Sequence, residues 1–446
     1  MAKSSLGKTV HVVGSGLAGS EAAFWLAERG VSVILHEMRP LKMTEAHQTG
    51  GCAELVCSNS LKSKSPSSAP GMLKAEMTMM GSLNLRAAEV AAVPGGQALA
   101  VDRDVFSAFI TKAIREHSNI TIVGEEVVAP FPDAPTIFAT GPLTSDKLST
   151  WIANATGQDG LYFYDAIAPI IAADSLDRSI VFLANRYDKG EEAAYLNCPM
   201  NQEEYYAFVD ELLKAERVAP KNFEKEIFFQ GCQPIEAIAA TGKDSLRFGP
   251  MKPVGLDDPR TGRRPYAVVQ LRPENTSLTA YNMVGFQTRM KYGDQSRVLK
   301  MIPGLQNAEF HRMGSIHRNT YVCGPKALRP DLSLKGYPLV YLAGQITGVE
   351  GYVESSACGL MAALFVYQRL MGQPHLAPPQ NTAFGALLKH IGGSDPKHYQ
   401  PSNIHFGLFD PLLFEGVEGL KRDPLREAIS QQTVKYFSEW IKGTEL

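Results

Sequence analysis

The chain contains 446 residues, of which 44% are hydrophobic and 20% charged, and its formal net charge is -2. This composition fits an enzyme of two or three domains and excludes collagen-like, disordered and disulfide-scaffold proteins. Six cysteines are too few for a disulfide framework and lack zinc-site spacing, so we expect no bound metal. No apolar run reaches the roughly 18 residues that span a bilayer, and no signal peptide precedes the first strand pattern, so we expect a cytoplasmic protein without membrane contact.

The first elements in chain order are a strand, a tight turn and a helix. The segment from Thr9 to Val13 is typical of a buried strand, and the segment from Ser20 to Arg29 is rich in helix formers. Gly30 stands where a helix commonly ends. A second strand is predicted from Val31 to Leu35, and Glu37 follows it closely.

The turn between the first strand and the helix has the Gly-x-Gly-x-x-Gly pattern of a dinucleotide-binding fingerprint. Its first glycine permits the turn, its second lets the backbone approach a pyrophosphate, and its third lets the helix pack against the strand. The helix N-terminus offers N–H groups to the phosphates, while Glu37 can bind ribose hydroxyls and would repel a 2′-phosphate. The cofactor-binding residues predicted here are Gly14, Ser15, Gly16, Leu17, Ala18, Gly19 and Glu37.

Two later strands favour FAD over NAD as the dinucleotide. They cover residues 136–140 and 339–342, and each is followed by a glycine in the order found in two-dinucleotide FAD folds. A helix predicted from Val353 to Leu370 would direct its N-terminus at the flavin. No second fingerprint follows a strand, which argues against a built-in NAD(P)H domain. The further predicted cofactor-binding residues are Gly141, Gly344 and Gln345.

The segments between these elements are less distinctive. The Ser-, Gly- and Pro-rich stretch 58–71 and the Met-rich stretch 72–80 predict loop or covering structure. A strand is predicted over residues 120–128. Residues 160–240 mix strand and helix patterns.

The charge distribution singles out residues 241–340. They include 16 Lys and Arg against 7 Asp and Glu, a balance of +9 that leaves the rest of the chain at -11. A segment this basic fits a polyanion-binding face, and equally an ordinary solvated surface. His311, His317 and Arg318 within it could bind a phosphate or a carboxylate, or be plain surface residues.

Two cysteines suit an exposed reactive thiol. Cys57 ends an apolar run and opens a polar loop, and Cys232 lies in a Gln-Gly-Cys-Gln-Pro sequence. Either becomes nucleophilic where nearby cations stabilise its thiolate. Tyr352 would lie near the flavin, where its ring could stack on the flavin or simply pack locally. Three other cysteines fit small buried hydrophobic residues, namely Cys198, Cys323 and Cys358.

Seven motifs are shared with one known family. They are GSGLAGSEAA at 14–23, EMRP at 37–40, AELVCSNS at 53–60, QGC at 230–232, RFGPMKPVGL at 247–256, YNMVGFQT at 281–288 and AGQITGVEGY at 343–352. Together they resemble the folate- and FAD-dependent tRNA (uracil-5-)-methyltransferases, the TrmFO family, over nearly the whole chain. One departure is Cys52, where an aromatic residue is expected. It adds a second thiol near Cys57.

The patterns and the resemblance predict an α/β fold. The expected architecture is a two-dinucleotide-type FAD-binding Rossmann-like domain with an inserted mixed α+β domain. Residues 1–165 and 326–446 would form the N-terminal and C-terminal parts of the FAD-binding domain. Residues 166–325 would form the inserted domain with its basic face.

The resemblance also implies an activity. It is methylation of the T-loop uridine (uridine-54) of tRNA to 5-methyluridine, with carbon from 5,10-methylenetetrahydrofolate, electrons from reduced FAD, and NADH or NADPH as reductant. Uracil C5 is a poor nucleophile until a thiolate adds at C6. A flavin supplies the reduction from methylene to methyl. No obligate protein partner is evident.

The same resemblance assigns site residues. Cys57 and Cys232 are the candidates for nucleophile and proton handler; we favour Cys57 as nucleophile, and the sequence leaves an exchange of roles open. Tyr352 would guard or stack on the flavin. Predicted contacts to tRNA phosphates or folate are Arg247, Lys252, Arg263, Arg264, Arg289, Lys291, His317 and Arg318.

Three alternatives stay open at this point. The nearest is the glucose-inhibited division family, flavin- and folate-dependent enzymes that modify the wobble uridine with a partner GTPase. They carry a long helical region for that partner, and we expect none here because the printed chain ends soon after the FAD-binding segment. The others are a non-catalytic flavoprotein that binds RNA and a flavin oxidoreductase acting on small molecules.

Overall fold

The computed structural model describes residues 9–158, 161–188, 193–218, 233–397 and 399–444. Its strands, numbered in chain order, are β1 Thr9–Val13, β2 Ser32–Glu37, β3 Ser60–Ser63, β4 Ala92–Val93, β5 Ala98–Val101, β6 Ile120–Gly124, β7 Thr136–Phe138, β8 Leu161–Ile167, β9 Ile170–Ala172, β10 Phe182–Leu183, β11 Leu196–Met200, β12 Ala267–Pro273, β13 Ala280–Met283, β14 Phe310–Arg312, β15 Ser315–Tyr321, β16 Ser333–Leu334 and β17 Tyr337–Leu342.

The α-helices are α1 Leu17–Ala27, α2 Ala69–Met79, α3 Leu83–Val90, α4 Arg103–Glu116, α5 Asp146–Thr156, α6 Gln202–Lys214, α7 Ile235–Ala240, α8 Ser245–Phe248, α9 Tyr292–Leu299, α10 Gly324–Ala327, α11 Tyr352–Leu370, α12 Ala383–Gly393 and α13 Arg422–Gly443. Short 3-10 turns follow several of these elements, including Gln345–Thr347 before α11 and Pro411–Leu413 before α13. No helix in the described ranges is both long and apolar enough to cross a membrane.

The first large sheet brings the ends of four parallel strands to one edge. Its order is β16-β17-β7-β1-β2-β6, with β16 antiparallel to β17 and the other pairs parallel. Val13 pairs with both His36 and Phe138, and Phe138 pairs with Leu342. The segments after β1, β2, β7 and β17 therefore meet at one edge, where ligands of such sheets bind.

Helices α1 and α11 pack closely over this edge. A Cβ atom added to Gly359 of α11 would lie 2.2 Å from the carbonyl oxygen of Ala18. The buried residues of this part form one hydrophobic cluster with the strands of the first sheet. Because α1 and α11 pack this closely, the N-termini of both helices lie beside the ends of the strands.

The second large sheet is antiparallel and has its own hydrophobic cluster. Its order is β10-β11-β12-β13-β9-β14, and α6, α7 and α9 contribute to the buried cluster beside it. Strands β8 and β15 form a separate antiparallel pair, in which Leu161 is paired with Tyr321 and Ile167 with Ser315. Along the chain, β8 precedes β9 and β15 follows β14. A three-stranded sheet of β3, β5 and β4 lies in the N-terminal part.

Two buried carboxylates hold the starts of helices. Glu21 accepts hydrogen bonds from the backbone N–H groups of Leu83 (2.9 Å) and Asn84 (3.0 Å) at the start of α3. Glu76 does the same for Ala383 (2.7 Å) and Phe384 (2.8 Å) at the start of α12. Burial raises the pKa of Glu76 to about 8, although these hydrogen bonds favour its charged form.

The predicted first unit is confirmed by β1, α1 and β2, although α1 begins at Leu17 rather than at Ser20. Gly30 has a φ of +75°, as expected beyond a helix end. The predicted strand at 120–128 ends at Gly124, and the predicted late strand and helix are β17 and α11.

The prediction of loop structure at 58–80 was wrong. Helix α2 begins there because the Ser68 side chain accepts a hydrogen bond from the Gly71 backbone at 3.1 Å and Pro70 occupies the first turn. Met72 and Met77 are buried in the cluster of the first sheet. Met80 is also buried and Met79 is 38% exposed, so most methionines of this stretch are core residues rather than a covering segment.

Candidate active site

The turn after β1 has the geometry that the fingerprint requires. Gly14 has a φ of +96°, and a Cβ atom there would lie 2.7 Å from the carbonyl oxygen of Ala139. A Cβ atom at Gly19 would lie 1.8 Å from the Gly14 carbonyl oxygen, so only glycine lets α1 pack this closely. A Cβ atom at Gly16 would meet no described heavy atom within 4 Å, so space is open beside this backbone. The turn leaves room for a phosphate where α1 begins.

Glu37, at the end of β2, forms a buried network with Ser15 and Arg39. Its Oε2 accepts hydrogen bonds from the Ser15 backbone N–H (2.9 Å) and hydroxyl (2.6 Å), and its Oε1 accepts from Arg39 Nε (3.0 Å). Burial disfavours the charged acid, but the hydrogen bonds and charge of Arg39 outweigh it and lower the pKa of Glu37 to about 2. A fixed negative charge therefore stands beside the turn.

A cleft runs along this edge of the sheet, with about 1010 Å³ of empty space that is partly open to solvent. It extends from the acidic end near Glu37 and Glu125 to Tyr352 and Val56. Most residues predicted to bind cofactor line it, namely Gly14, Gly16, Leu17, Ala18, Glu37, Gly141, Gly344 and Gln345. The other two, Ser15 and Gly19, lie behind this wall, where Ser15 binds Glu37 and Gly19 allows helix packing.

The loop that carries Cys57 closes one end of the cleft. The hydroxyl oxygen of Tyr352 accepts hydrogen bonds from the backbone N–H groups of Cys57 (2.7 Å) and Ser58 (3.1 Å). Burial, with the nearby Cys57, raises the pKa of Tyr352, so this phenol stays protonated. Cys57 is half-buried. A thiol and an aromatic ring therefore meet where the sequence placed the flavin.

Two arginines hold the other side of the same loop. Arg103 donates to the carbonyl oxygens of Leu55 (2.6 Å) and Cys57 (3.5 Å), and Arg312 donates to that of Val56 (2.9 Å). Arg103 also forms an ion pair of 2.6 Å with Glu274, which follows β12 of the second sheet. These contacts hold the Cys57 loop between the start of α4 and the second sheet.

Of the remaining five cysteines, four are buried and one lies outside the described residues. The prediction that Cys198, Cys323 and Cys358 are buried hydrophobic residues is confirmed, with exposures of 0%, 4% and 0%. Cys52 is also buried, and burial raises the pKa of its thiol. Cys232 lies outside the described residues.

The predicted substrate-binding cations differ in their surroundings. Arg289 and Lys291 lie beside carboxylates, with ion-pair distances of 3.9 Å to Glu236 and 2.6 Å to Glu216. Arg264 lies 3.7 Å from Asp257.

Five further predicted positions complete this set. Arg247 lies 3.5 Å from Asp244. Lys252 and Arg263 are exposed and form no ion pair within the described part of the chain. His317 and Arg318 are on β15, and their side chains lie outside the described part.

Several residues of the site carried no predicted role. Arg39 stands in the EMRP motif, and a buried acid two residues earlier could have indicated its partner. Arg103 and Arg312 gave no local signal, because their targets are separated from them by 48 and 256 positions along the chain. Glu54 binds the Thr49 hydroxyl at 2.7 Å and lines the cleft with His47. Burial and the charge of Arg39 lower the pKa of His47 to about 4, so it is neutral.

These features together fit an FAD molecule. The open backbone at Gly16 suits the pyrophosphate, the buried Glu37 carboxylate suits a ribose, and the far end is lined by Gly344, Gln345 and Tyr352. No cluster of three or more His, Cys, Asp or Glu side chains within the described ranges could hold a metal ion.

Comparisons with known proteins address the family. A profile described as glucose inhibited division protein A matches residues 9–374. A protein of Koribacter versatilis named methylenetetrahydrofolate--tRNA-(uracil-5-)-methyltransferase TrmFO is 52% identical over 440 residues, 98% of this chain and 99% of its own. The chain belongs to the TrmFO family. TrmFO proteins of Pelotomaculum thermopropionicum and Bacillus cereus (strain ATCC 14579) are 54% and 50% identical, covering 91% and 96% of this chain and 93% and 99% of their own.

The fold of this TrmFO family member also matches solved structures. Two crystal forms of GidA from Aquifex aeolicus superpose on 98% of the chain with TM-scores of 0.66 and 0.68, at 15% and 16% identity. They cover 76% and 78% of the GidA chain. With the parallel first sheet, these matches confirm the predicted FAD-binding Rossmann-like fold of the α/β class.

Proposed function

We propose that this chain methylates C5 of the T-loop uridine of tRNA, giving 5-methyluridine. The observation that carries this proposal is the Cys57 loop, which borders the dinucleotide cleft at Val56 and whose backbone is held by Tyr352 and two arginines. An S-adenosylmethionine enzyme would need no flavin cleft. The TrmFO relatives support the same reaction by name.

The overall reaction balances without a metal. Uridine, 5,10-methylenetetrahydrofolate and two reducing equivalents give 5-methyluridine and tetrahydrofolate. Bound FAD supplies the two electrons when reduced, and NADH or NADPH restores them from solution. The FAD would be held by residues along the cleft, from Glu37 through Gly16 and Gly344 to Tyr352.

The thiol activates the uracil ring. We assign Cys57 as the nucleophile: its thiolate adds to C6, and the electron pair of the C5–C6 double bond moves toward C5, which then attacks the one-carbon unit. After the carbon is attached, a base removes the C5 proton and the bond from this carbon to its nitrogen donor breaks. A hydride equivalent, the two reducing equivalents of the overall reaction, then converts the carbon to a methyl group as the thiolate leaves C6. We assign the removal of the C5 proton to Cys232.

The surrounding groups position this chemistry. The protonated Tyr352 hydroxyl accepts two backbone N–H groups, and its ring stands at the cleft. Arg103 and Arg312 add two positive charges beside the loop. The uridine must leave its stack to reach Cys57.

The wider organisation follows from this reading. The FAD-binding domain comprises residues 1–165 and 326–446, and residues 166–325 form the inserted domain. The separate hydrophobic clusters of the two large sheets support this division. We keep the eight predicted residues between Arg247 and Arg318 as the proposed phosphate or folate contacts, and we propose that the enzyme acts in the cytoplasm without an obligate protein partner.

Transfer of labelled carbon tests the function. The holoenzyme is incubated with unmodified tRNA transcript, reduced pyridine nucleotide and methylenetetrahydrofolate labelled in the methylene carbon. We expect label in the T-loop uridine and none in a transcript with cytidine at that position. Label at the wobble uridine instead would favour the glucose-inhibited division activity, and oxidation of the nicotinamide without label would contradict both.

Covalent trapping tests the assignment of the thiols. A tRNA with 5-fluorouridine in the T-loop keeps the adduct, because fluorine cannot leave C5 as a proton does. We expect peptide mapping to find the nucleotide on Cys57. Mapping to Cys232 would exchange the two roles and leave the methyltransferase function intact.

A further inference from the structure

Phe248, the last residue of α8, is a large aromatic side chain that the fold leaves in solvent. It is 82% exposed, whereas Leu246 and Met251 on either side of it are fully buried. Isolated hydrophobic side chains are common on protein surfaces. Its meaning therefore depends on how the ring is held and what surrounds it.

The backbone that presents Phe248 is well fixed. The N–H groups of Gly249 and Met251 donate to the carbonyl oxygen of Leu246 at 3.1 and 2.8 Å, and Lys252 donates to that of Gly249 at 3.2 Å. Each flanking turn is thus closed by a hydrogen bond. An aromatic ring on such a loop loses little conformational entropy when it binds a flat partner.

The neighbours of the ring are basic. The Arg247 guanidinium lies 3.5 Å from the centre of the Tyr266 ring, and its Nε donates to the Tyr266 carbonyl oxygen at 2.9 Å. Lys252, four positions beyond Phe248, is exposed and forms no ion pair with the described residues. An exposed aromatic ring with an exposed cation four positions along the chain is a combination that suits single-stranded nucleic acids.

The same loop lies near a cleft between the two large parts of the protein. A Cβ atom on Gly285 would lie 2.7 Å from Pro250, so the loop packs against the segment after β13. Val284 in that segment lines the cleft, and Lys62 of the N-terminal part lines its other wall. Lys62 in turn forms a 2.6 Å ion pair with Glu354 of α11.

We infer that Phe248 stacks on an unpaired base of the bound tRNA, while Lys252 contacts a neighbouring phosphate. This inference rests on the proposed function, in which tRNA is the substrate. It adds a residue that binds tRNA by ring stacking rather than by charge. Every base offers a π-face, so the contact needs no particular sequence, and a base released from its stack is the natural occupant.

The test compares substitutions in the complete FAD-loaded enzyme. F248A removes the ring, F248W restores a stacking surface, and K252A removes the cation. L412A is the matched control, because Leu412 is 92% exposed on a 3-10 turn in the C-terminal part. Affinity for unmodified tRNA transcript is measured over a range of salt concentrations, with flavin content as the check on folding.

We expect F248A to weaken tRNA binding by roughly tenfold, with an unchanged salt dependence, because stacking releases no counterions. F248W should regain the affinity, and its fluorescence should be quenched by tRNA beyond the change shown by the three native tryptophans. K252A should reduce the slope of log affinity against log salt by about one. L412A should bind as the unsubstituted enzyme does.

Other outcomes would overturn the inference. F248A that binds tRNA normally, F248W that fails to recover, or L412A that loses as much affinity would each exclude stacking by Phe248. Normal tRNA binding with a changed oligomeric state of F248A would assign the ring to a contact between protein copies. These readouts need no turnover, so they are independent of failed methyl transfer, which would instead contradict the proposed function.

Discussion

The cofactor cleft and the basic segment 241–340 are both rich in charge, but they hold it in opposite ways. In the cleft, Glu37 and Arg39 are 8% and 5% exposed and share several hydrogen bonds with Ser15. In the basic segment, Lys252 and Arg263 stand exposed, and Lys291 reaches its acidic partner at the surface. One region is preorganised, and the other presents several of its cations at the surface.

The difference matches two kinds of ligand. A dinucleotide has one shape, so fixed dipoles and a buried carboxylate can be set in advance for it. A tRNA presents many phosphates over a long surface, and exposed cations can contact them without fixed geometry. We therefore expect single substitutions in the cleft to have large effects on activity or flavin binding. Substitutions in the basic segment should have small effects on tRNA affinity, and these effects should depend on salt concentration.

The largest expected effect is at the end of the cleft. C57A should lower the rate of methyl transfer by at least about 10³-fold, because no thiolate then activates uracil from this loop. The rate is measured with labelled methylene carbon at saturating tRNA. FAD content and tRNA affinity should be unchanged. C198A, at a buried thiol, is the control for the loss of a cysteine, and equal inactivity of both variants would contradict a chemical role for Cys57.

The next effect concerns the buried acid. E37A leaves the Arg39 guanidinium buried without its main partner, which we expect to cost about 3–5 kcal/mol in the free energy of unfolding and to abolish retention of FAD. Chemical unfolding and flavin absorbance measure the two. E89A, at an exposed acid of α3, should change neither. Normal flavin content in E37A would show that the cleft does not depend on this charge.

The same acid predicts a pH dependence. The folded pKa of Glu37 is about 2, below the ordinary value of 4.5, so its contribution to stability is present above pH 4.5 and is lost as the pH falls towards 2. Thermal unfolding of the enzyme should therefore show an acid limb that is shallower in E37A. An identical limb in both proteins would mean that other carboxylates control acid unfolding.

A smaller effect is expected at Tyr352. Y352F removes the acceptor for the backbone N–H groups of Cys57 and Ser58, and an unmet buried donor costs about 1–3 kcal/mol. If this loosens the loop, kcat should fall by about tenfold while KM for tRNA stays the same. Y337F, at a 40% exposed tyrosine of β17, is the control. An unchanged kcat in Y352F would remove the hydroxyl from the mechanism.

The smallest effect is expected in the basic segment. Lys291 already has a carboxylate at 2.6 Å, so K291A should change tRNA affinity by less than about twofold, and less than K252A does. Both are measured at low and high salt. A larger loss for K291A would mean that tRNA displaces Glu216, and the ion pair would then be part of the binding surface.

Local chemistry explains which parts of the protein could be predicted. Sequence patterns predicted the turn after β1, the acid at the end of β2 and the glycines after β7 and β17. Each of these features depends on residues only a few positions apart. Helix α2 was missed although Ser68 and Pro70 mark its start, because a Met-rich sequence was interpreted as a covering segment. Its burial depends on partners elsewhere in the chain.

The contacts that hold the Cys57 loop could not be predicted in the same way. Tyr352 lies 295 positions from Cys57, and Arg312 lies 256 positions from Val56. These groups meet only in the folded chain, because Tyr352 begins α11 and Arg312 ends β14. The cations of the basic segment were visible in the sequence, but their ion pairs with Glu216 and Glu236 were not, so the sequence overstated how many are free.

A single turnover tests the central claim most directly. The flavin of the holoenzyme is reduced, excess reductant is removed without oxygen, and labelled methylenetetrahydrofolate is added with tRNA transcript. Flavin absorbance and label in the T-loop uridine are followed together. We predict one 5-methyluridine for each flavin reoxidised, and neither change in C57A. Reoxidation without label, or label without reoxidation, would contradict a cleft that couples the flavin to the Cys57 loop.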